Sequence, residues 1–494
     1  MGRRLMRART ILWGVLVAVL VLVGVVLYRT FTYGPGQSAA APVALAAPIP
    51  IDVNAAAQHL GEAVRFQTVS HQDPKDDTPQ AWDQQRSWLQ TTYPKFHAVA
   101  EREVIGGGTL IYTWKGSDPA LPPVVLMAHQ DVVPVSPGTQ GLWAAPPFSG
   151  AIKNGAVWGR GSIDDKGSLI AIMEACEALA NRGFTPKRTL IVVSGEHEET
   201  TGGSIAQAAR LLAKRDVHAL FVLDEGLSII DDNPVTDKPA ALIGVAEKGY
   251  ATLKIVAKGA GGHSSMPPKQ TAVETLAKAV VAIAEKPFPM TLGGPTEDML
   301  RALAPQMPFT TRMAVANSWL FGPLIINKFA ASPAGAAQLH TTIAPTMLQG
   351  SPKENVLPQD AIARINYRLY PGDTTQSVMA RAKSAVGALP VSLQWEGRAN
   401  DPSAVASVNA GAYRTIAALA EDMEHVPSAP ALMIAATDSY RMSPIALDIY
   451  KFEFTRGPLT DAEMIHGANE HMTLANLSRL TEFFARLIPT TTAG

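Results

Sequence analysis

Residues 189–199, Thr189-Leu190-Ile191-Val192-Val193-Ser194-Gly195-Glu196-His197-Glu198-Glu199, pass from an apolar run straight into His and carboxylate groups. A short continuous apolar run reads as a strand buried on both faces, and such strands belong to parallel sheets covered by helices. The pattern occurs twice more. Pro123 to Met127 leads into His129 and Asp131, and Ala219 to Leu223 leads into Asp224 and Glu225. In open α/β sheets ligands bind beyond the carboxyl ends of the strands, so three buried strands bring His and acidic side chains to one edge. The loop from Gly159 to Gly167 adds Asp164 and Asp165 just before a helical pattern. Carboxylates gathered this closely repel one another, and one or two divalent cations would neutralise them.

Taken singly, each loop has an ordinary reading. His129-Gln130-Asp131 passes for a polar loop, Glu198-Glu199 for acids favoured at a helix start, and Asp164-Asp165 for turn chemistry. Independent surface loops have no reason to follow successive buried strands, and that coincidence favours a metal site. Other chemistries are not encoded. His197-Glu198-Glu199 lacks a second His four residues on, so the helical zincin signature is not met. Gly262-His263-Ser264-Ser265 lacks the spacing of a nucleophile elbow, and no phosphate-binding Gly-rich loop is present.

Strand and helix patterns alternate on both sides of this region, the mark of an α/β fold with a mostly parallel sheet. Gly167 to Arg182 carries Leu169, Ile172, Met173, Cys176 and Leu179 at helical spacing. After Glu247 the texture changes to strand–helix–strand–helix–strand, with one more strand near Thr341 to Leu348. That order suits an α+β sandwich of ferredoxin-like type. The economical division is a catalytic domain in two parts, 51–247 and 400–494, interrupted by an inserted domain at 248–399. Within the insert, Pro287 to Leu348 is long and apolar, including Trp319-Leu320-Phe321-Gly322-Pro323-Leu324-Ile325-Ile326. Extra core or a dimer interface is its plain reading. The sharper one lines an apolar channel above the metals or rests the segment against a bilayer.

The chain has 494 residues, 47% hydrophobic and 17% charged, with 42 basic and 43 acidic residues. This balance gives no sign of a nucleic-acid partner. Its one cysteine, Cys176, permits neither an internal disulfide nor a thiolate cluster, so a metal must be held by His, Asp and Glu. Residues 1–34 stand apart. Arg3, Arg4, Arg7 and Arg9 precede an uncharged run of 18 residues from Ile11 to Tyr28, just enough to span a bilayer at about 1.5 Å per residue. The flanking basic cluster predicts a cytoplasmic N-terminus and an extracytoplasmic catalytic domain. Residues 35–50 then read as a flexible tether. A secreted protein released by signal cleavage is the alternative, since Ala39 to Ala47 offers small-residue sites.

Specific motifs carry a family resemblance. Met127-Ala128-His129-Gln130-Asp131-Val132-Val133-Pro134-Val135, Pro146-Pro147-Phe148-Ser149-Gly150, Trp158-Gly159-Arg160-Gly161 with Asp164-Asp165-Lys166-Gly167, Gly261-Gly262-His263-Ser264-Ser265, Asn366-Tyr367-Arg368-Leu369-Tyr370-Pro371-Gly372 and Ile465-His466-Gly467-Ala468-Asn469-Glu470 are the segments concerned. Together they resemble the dinuclear zinc peptidases that include carboxypeptidase S, carnosinase, aminoacylase and glutamate carboxypeptidase. Asp224-Glu225-Gly226 and Pro267-Pro268 point to the branch of carboxypeptidase S and the N-fatty-acyl-amino-acid synthase/hydrolases.

The resemblance implies a phosphorylase/hydrolase-like catalytic domain with a lid and dimerisation domain. It implies two divalent ions, zinc foremost, with cobalt or manganese also accommodated. His129 and Asp224 would hold one ion, Glu199 and His466 the other, with Asp164 bridging. Glu198 would be the general base, Asp131 would orient His129, and His263 would stabilise the oxyanion, in the family often across a homodimer interface. Arg368, with Asn355 nearby, would bind the substrate carboxylate. The reaction implied is amide hydrolysis of C-terminal peptides or N-acyl amino acids. Thr200-Thr201-Gly202 departs from the Ser-Gly common in relatives without touching the paired acids. The rivals are a binding protein that keeps the fold without the chemistry, and an aminopeptidase or deacetylase whose substrate lacks a free carboxylate.

Overall fold

The computed structural model describes residues 2–35, 42–200 and 203–493. Residues 36–41 of the tether, with the first part of the Ala-rich stretch, and the Thr201-Gly202 pair lie outside them. Helix α1 (Gly2–Thr32) opens the chain. Within its segment Arg9–Thr32, an 18-residue window has a mean hydropathy of 2.9 with 6% of it buried. Among the described residues α1 alone is long and apolar enough to cross a membrane.

The catalytic unit begins with β1 (Glu101–Ile105), β2 (Thr109–Trp114), β3 (Val124–His129), α2 (Lys166–Asn181), β4 (Leu190–Gly195), β5 (Phe221–Ile230) and β6 (Ala240–Glu247). A second unit follows: β7 (Gly249–Lys258), α3 (Ala272–Ala284), α4 (Gly294–Leu303), α5 (Phe309–Ala316), α6 (Ser318–Phe329), β8 (Thr342–Gln349), β9 (Asp360–Leu369), α7 (Thr375–Val386) and β10 (Val391–Asn400). The chain then returns through β11 (Ser428–Met433), β12 (Ile449–Gly457) and α8 (Leu474–Thr492).

The eight-stranded sheet has the order β1-β2-β4-β3-β5-β12-β6-β11. β4, β3, β5 and β12 are parallel neighbours, with Val124 opposite both Leu190 and Phe221, and Ile449 opposite Val222. Each residue of β3 and β4 is buried, because helices cover both faces. α2 and α8 pack on one face, where Ile172, Met173 and Cys176 meet Leu480, Phe483 and Leu487 in a common core. Each such side chain contributes roughly 1.5–3 kcal/mol by leaving water.

The smaller sheet is antiparallel in the order β8-β9-β7-β10. Strand order and the placing of α3 and α7 match the ferredoxin-like expectation. Ala251, Leu253, Ile255 and Ala257 on β7 and Ala361, Ala363, Ile365 and Tyr367 on β9 bury one face at period two. The long apolar insert joins this core only near its ends, through Phe288 and Ile343. Met299, Leu300 and Leu303 of α4 pack on Ala240, Ala429 and Ala431 at the β6–β11 edge of the large sheet.

Candidate metal centre

The parallel register delivers the site. β3 ends at His129, paired with Gly195 at the end of β4, so His129 sits beside the loop carrying Glu198 and Glu199. Asp164 lies on the loop leading into α2, and His466 follows β12. Two triads form: His129, Asp164 and Glu225, and Asp164, Glu199 and His466, each with donor atoms within 4.8 Å of one another. Asp164 belongs to both. Its Oδ1 lies 2.9 Å from His129 Nε2 and its Oδ2 lies 3.1 Å from His466 Nε2. His466 Nε2 is also 2.9 Å from Glu199 Oε2, and His129 Nε2 is 3.7 Å from Glu225 Oε2.

Glu225, the neighbour of the expected ligand Asp224, is the acid whose carboxylate groups with His129 and Asp164 in this structure. The apolar run was expected to end at Leu223, but β5 continues to Ile230. The strand is irregular at the acids: Asp224 pairs with Lys451 and Leu227 with Phe452, which leaves Glu225 and Gly226 bulged out of the ladder. Asp224 Oδ2 instead accepts a bond from Ser439 N at 3.2 Å.

Asp131 has a wider role than orienting His129. His129 Nδ1 lies 2.9 Å from the Asp131 carbonyl oxygen and 3.4 Å from its Oδ1. The Asp131 carboxylate also accepts from Glu198 N, Glu199 N and Ser70 Oγ, at 3.1, 3.2 and 2.6 Å. It therefore fixes the loop of both glutamates. A second tie was not foreseen at all. Buried Glu470 accepts from Ile163 N and Asp164 N at 2.9 and 3.1 Å, and from Arg160 Nη1 at 2.6 Å. Arg160 Nη2 donates to the carbonyls of His466 and Gly467 at 3.0 and 2.9 Å. Arg160 and Glu470 thus clamp the Asp164 loop to the His466 loop. Both stand in quoted motifs, but no local spacing pairs residues this far apart in sequence.

The electrostatics suit a cation. Burial pushes the Glu225 carboxyl well above the usual range, and the Asp164 charge adds to it. Burial raises Glu198 likewise, with the charge of Asp438 next in weight, and raises Glu199 beside Asp164. His466 is pushed up to about 10 by its bonds to Asp164 and Glu199. Glu199 Oε1 is buried with no hydrogen-bond partner, an expensive state for a carboxylate oxygen. Imidazole and carboxylate donors without thiolate match borderline-hard divalent metals. Cys176, buried in α2, takes no part.

The profile of peptidase family M20/M25/M40 matches residues 125–490. The chain belongs to this family. It is 34% identical to an N-fatty-acyl-amino acid synthase/hydrolase of Danio rerio, over 96% of this chain and 93% of that one. It is 32% identical to the probable carboxypeptidase S-like 2 of Dictyostelium discoideum, over 88% of this chain and 85% of that protein. Its fold is similar to the M20 family metallo-carboxypeptidase of Sulfolobus solfataricus, with a TM-score of 0.66 and 17% identity, covering 89% of this chain and 99% of that one. The chain is accordingly an M20 hydrolase with a catalytic and a lid domain.

The other residues expected in this M20 site are placed unequally. Arg368 stacks on Tyr250 at 4.7 Å, where Arg398 approaches the same ring at 5.5 Å. Burial lowers the Arg368 guanidinium, with the charges of Arg398, Glu247 and Glu198 also acting on it. His263 and Asn355 lie elsewhere. His263 is exposed, its Nδ1 2.8 Å from Ser265 Oγ, and Ser264 N donates to the Asn355 carbonyl. They neighbour each other, but neither contacts a triad.

Proposed function

We propose that this enzyme uses two divalent cations, zinc foremost, to hydrolyse the amide bond of N-acyl amino acids. The observation that carries the reading is Asp164, whose two carboxylate oxygens each face a different imidazole. His129 and Glu225 complete one cation's protein ligands, and Glu199 and His466 the other's. When bound, the pair would polarise the amide carbonyl and make water a stronger acid. Glu198 adjoins a ligand without being one. It takes a proton from the attacking water and returns it to the amide nitrogen as the carbon–nitrogen bond breaks. Arg368 binds the carboxylate of the amino acid, for which its planar fork is suited. His263 and Asn355, exposed together on the lid domain, serve the oxyanion and carboxylate of a second copy's site in a homodimer.

The acyl group is read as long because of the relative named for fatty-acyl amino acids. A carboxypeptidase acting on C-terminal peptides is the second reading, favoured by the carboxypeptidase S-like relative. The two separate on a series of N-acyl amino acids of graded length set against C-terminal dipeptides. We expect kcat/KM to rise with acyl length, by up to about 0.8 kcal/mol, or roughly fourfold, per buried methylene. Preference for short polar dipeptides would leave the metallopeptidase and remove the acyl specificity.

The ligand assignment has its own test. Glu225→Gln should lose roughly half of the bound metal, whereas Asp224→Asn should retain most of it. Metal analysis of the two purified variants decides, and the reverse result would return Asp224 to the site. As for location, α1 is read as a retained anchor with its N-terminus in the cytoplasm and the catalytic domain on the far side. Hydrogen bonds from Asn317 and Arg312 to α1 support retention over signal cleavage.

A further inference from the structure

Helix α6 exposes large apolar side chains outside the catalytic and lid cores. Trp319, Leu320 and Leu324 are 56%, 43% and 63% exposed, and Phe309 at the start of α5 is 50% exposed. At about 100° per residue, Trp319, Pro323, Asn327, Leu320 and Leu324 share one arc of roughly 140°, with Ile325 buried on the opposite side. From Phe309 to Phe329 the chain holds Arg312 and Lys328 and no acid.

What covers this face follows from what α5 and α6 are bonded to. Asn317, between the two helices, is buried, and its Nδ2 donates to Val26 O at 3.2 Å and to Thr30 Oγ1 at 3.3 Å. Arg29 Nε donates to Ala316 O at 3.1 Å, and Arg312 Nη2 donates to Phe31 O and Tyr33 O at 3.3 and 2.8 Å. The rings of Phe31 and Phe309 lie 5.9 Å apart. Val26 still belongs to the uncharged run of α1. Trp319 is two residues from Asn317, so their Cα atoms are within about 7 Å. Wherever the end of that run sits in a bilayer, Trp319 sits at nearly the same depth.

We propose that α5 and α6 form a second membrane contact, laying Phe309, Trp319, Leu320 and Leu324 into the headgroup–acyl boundary beside the exit of α1. The proposal rests on α1 being a retained span. Tryptophan is enriched at this boundary, and in-plane helices bury an apolar face there while basic residues meet anionic lipid. The continuity of this face with the end of α1 favours lipid over a protein partner. Because α4 packs on β6 and β11, the contact would hold that edge of the catalytic sheet against the leaflet.

The full chain, reconstituted in nanodiscs of phosphatidylcholine and phosphatidylglycerol, tests this. Cys176 is buried, so single cysteines at Leu324→Cys, Leu320→Cys, Leu20→Cys and His218→Cys can be labelled with an environment-sensitive fluorophore. The expected result is blue-shifted emission at Leu324→Cys and Leu320→Cys, quenched by shallow lipid nitroxides. Leu20→Cys should be quenched by deep nitroxides, and His218→Cys only by aqueous iodide. Iodide quenching at both α6 positions, with Leu20→Cys still lipid-quenched, overturns the proposal and leaves the anchor. Protection from iodide and lipid nitroxide alike would mean that protein covers α6, and overturns it too. Loss of lipid quenching at Leu20→Cys removes the anchor and the proposal together.

Discussion

Glu198→Gln is expected to lower turnover by about two to four orders of magnitude, the usual contribution of a positioned general base, while metal content and fold are kept. The substitution is nearly isosteric and removes only the ability to take and return a proton. The backbone N–H that Glu198 donates to Asp131 is unchanged by it. Glu199→Gln makes the contrast. Glu199 Oε2 stands 2.9 Å from His466 Nε2 within a triad, so that variant should lose metal as well as activity. Steady-state kinetics on an N-acyl amino acid, with metal analysis of the same samples, reads both quantities. Near-normal turnover in Glu198→Gln would show that another group moves the proton.

The second large effect is expected on metal removal. Chelation should abolish activity, and zinc or cobalt should restore it, with titration reaching about two ions per chain. The physical ground is the crowding of Asp164, Glu198, Glu199 and Glu225, most of which raise one another's proton affinity. Divalent charge relieves that repulsion, so bound metal should also stabilise the fold, by about 4 kcal/mol when free metal stands near a thousandfold above its Kd. Thermal unfolding of stripped and reloaded protein measures the stabilisation independently of turnover. Full activity in metal-free protein would refute the metal reading.

Much of the fold is written locally. Apolar runs of strand length, each leading to acids or His, place β3, β4 and β5 side by side before any coordinates are known. The period-two pattern of β7 and β9 likewise marks the lid sheet. What is not legible is where a strand stops. Nothing in Phe221-Val222-Leu223-Asp224-Glu225 says that the ladder with β12 breaks at Glu225 and Gly226 and resumes at Leu227, and that irregularity is what turns the Glu225 carboxylate toward His129. The clamp of Arg160 and Glu470 was hidden for another reason: its members are far apart in sequence and meet only when the chain has closed. The docking of Asn317 on α1 was hidden in the same way, although the apolar character of the insert was plain.

β12 lies in the interior of the large sheet, between β5 and β6, yet its residues come after the whole of the lid in the chain. A nascent chain that has completed the lid still has a gap where Ile449–Gly457 will enter, and it lacks His466 and Glu470 as well. Contacts between residues so far apart in sequence form late and slowly. The catalytic domain therefore cannot finish folding until the segment that follows the lid has been made. The cluster of His and acidic groups is completed only when the segment from β12 to Glu470 has joined the sheet. A chain truncated after the lid would carry an open sheet with half a site.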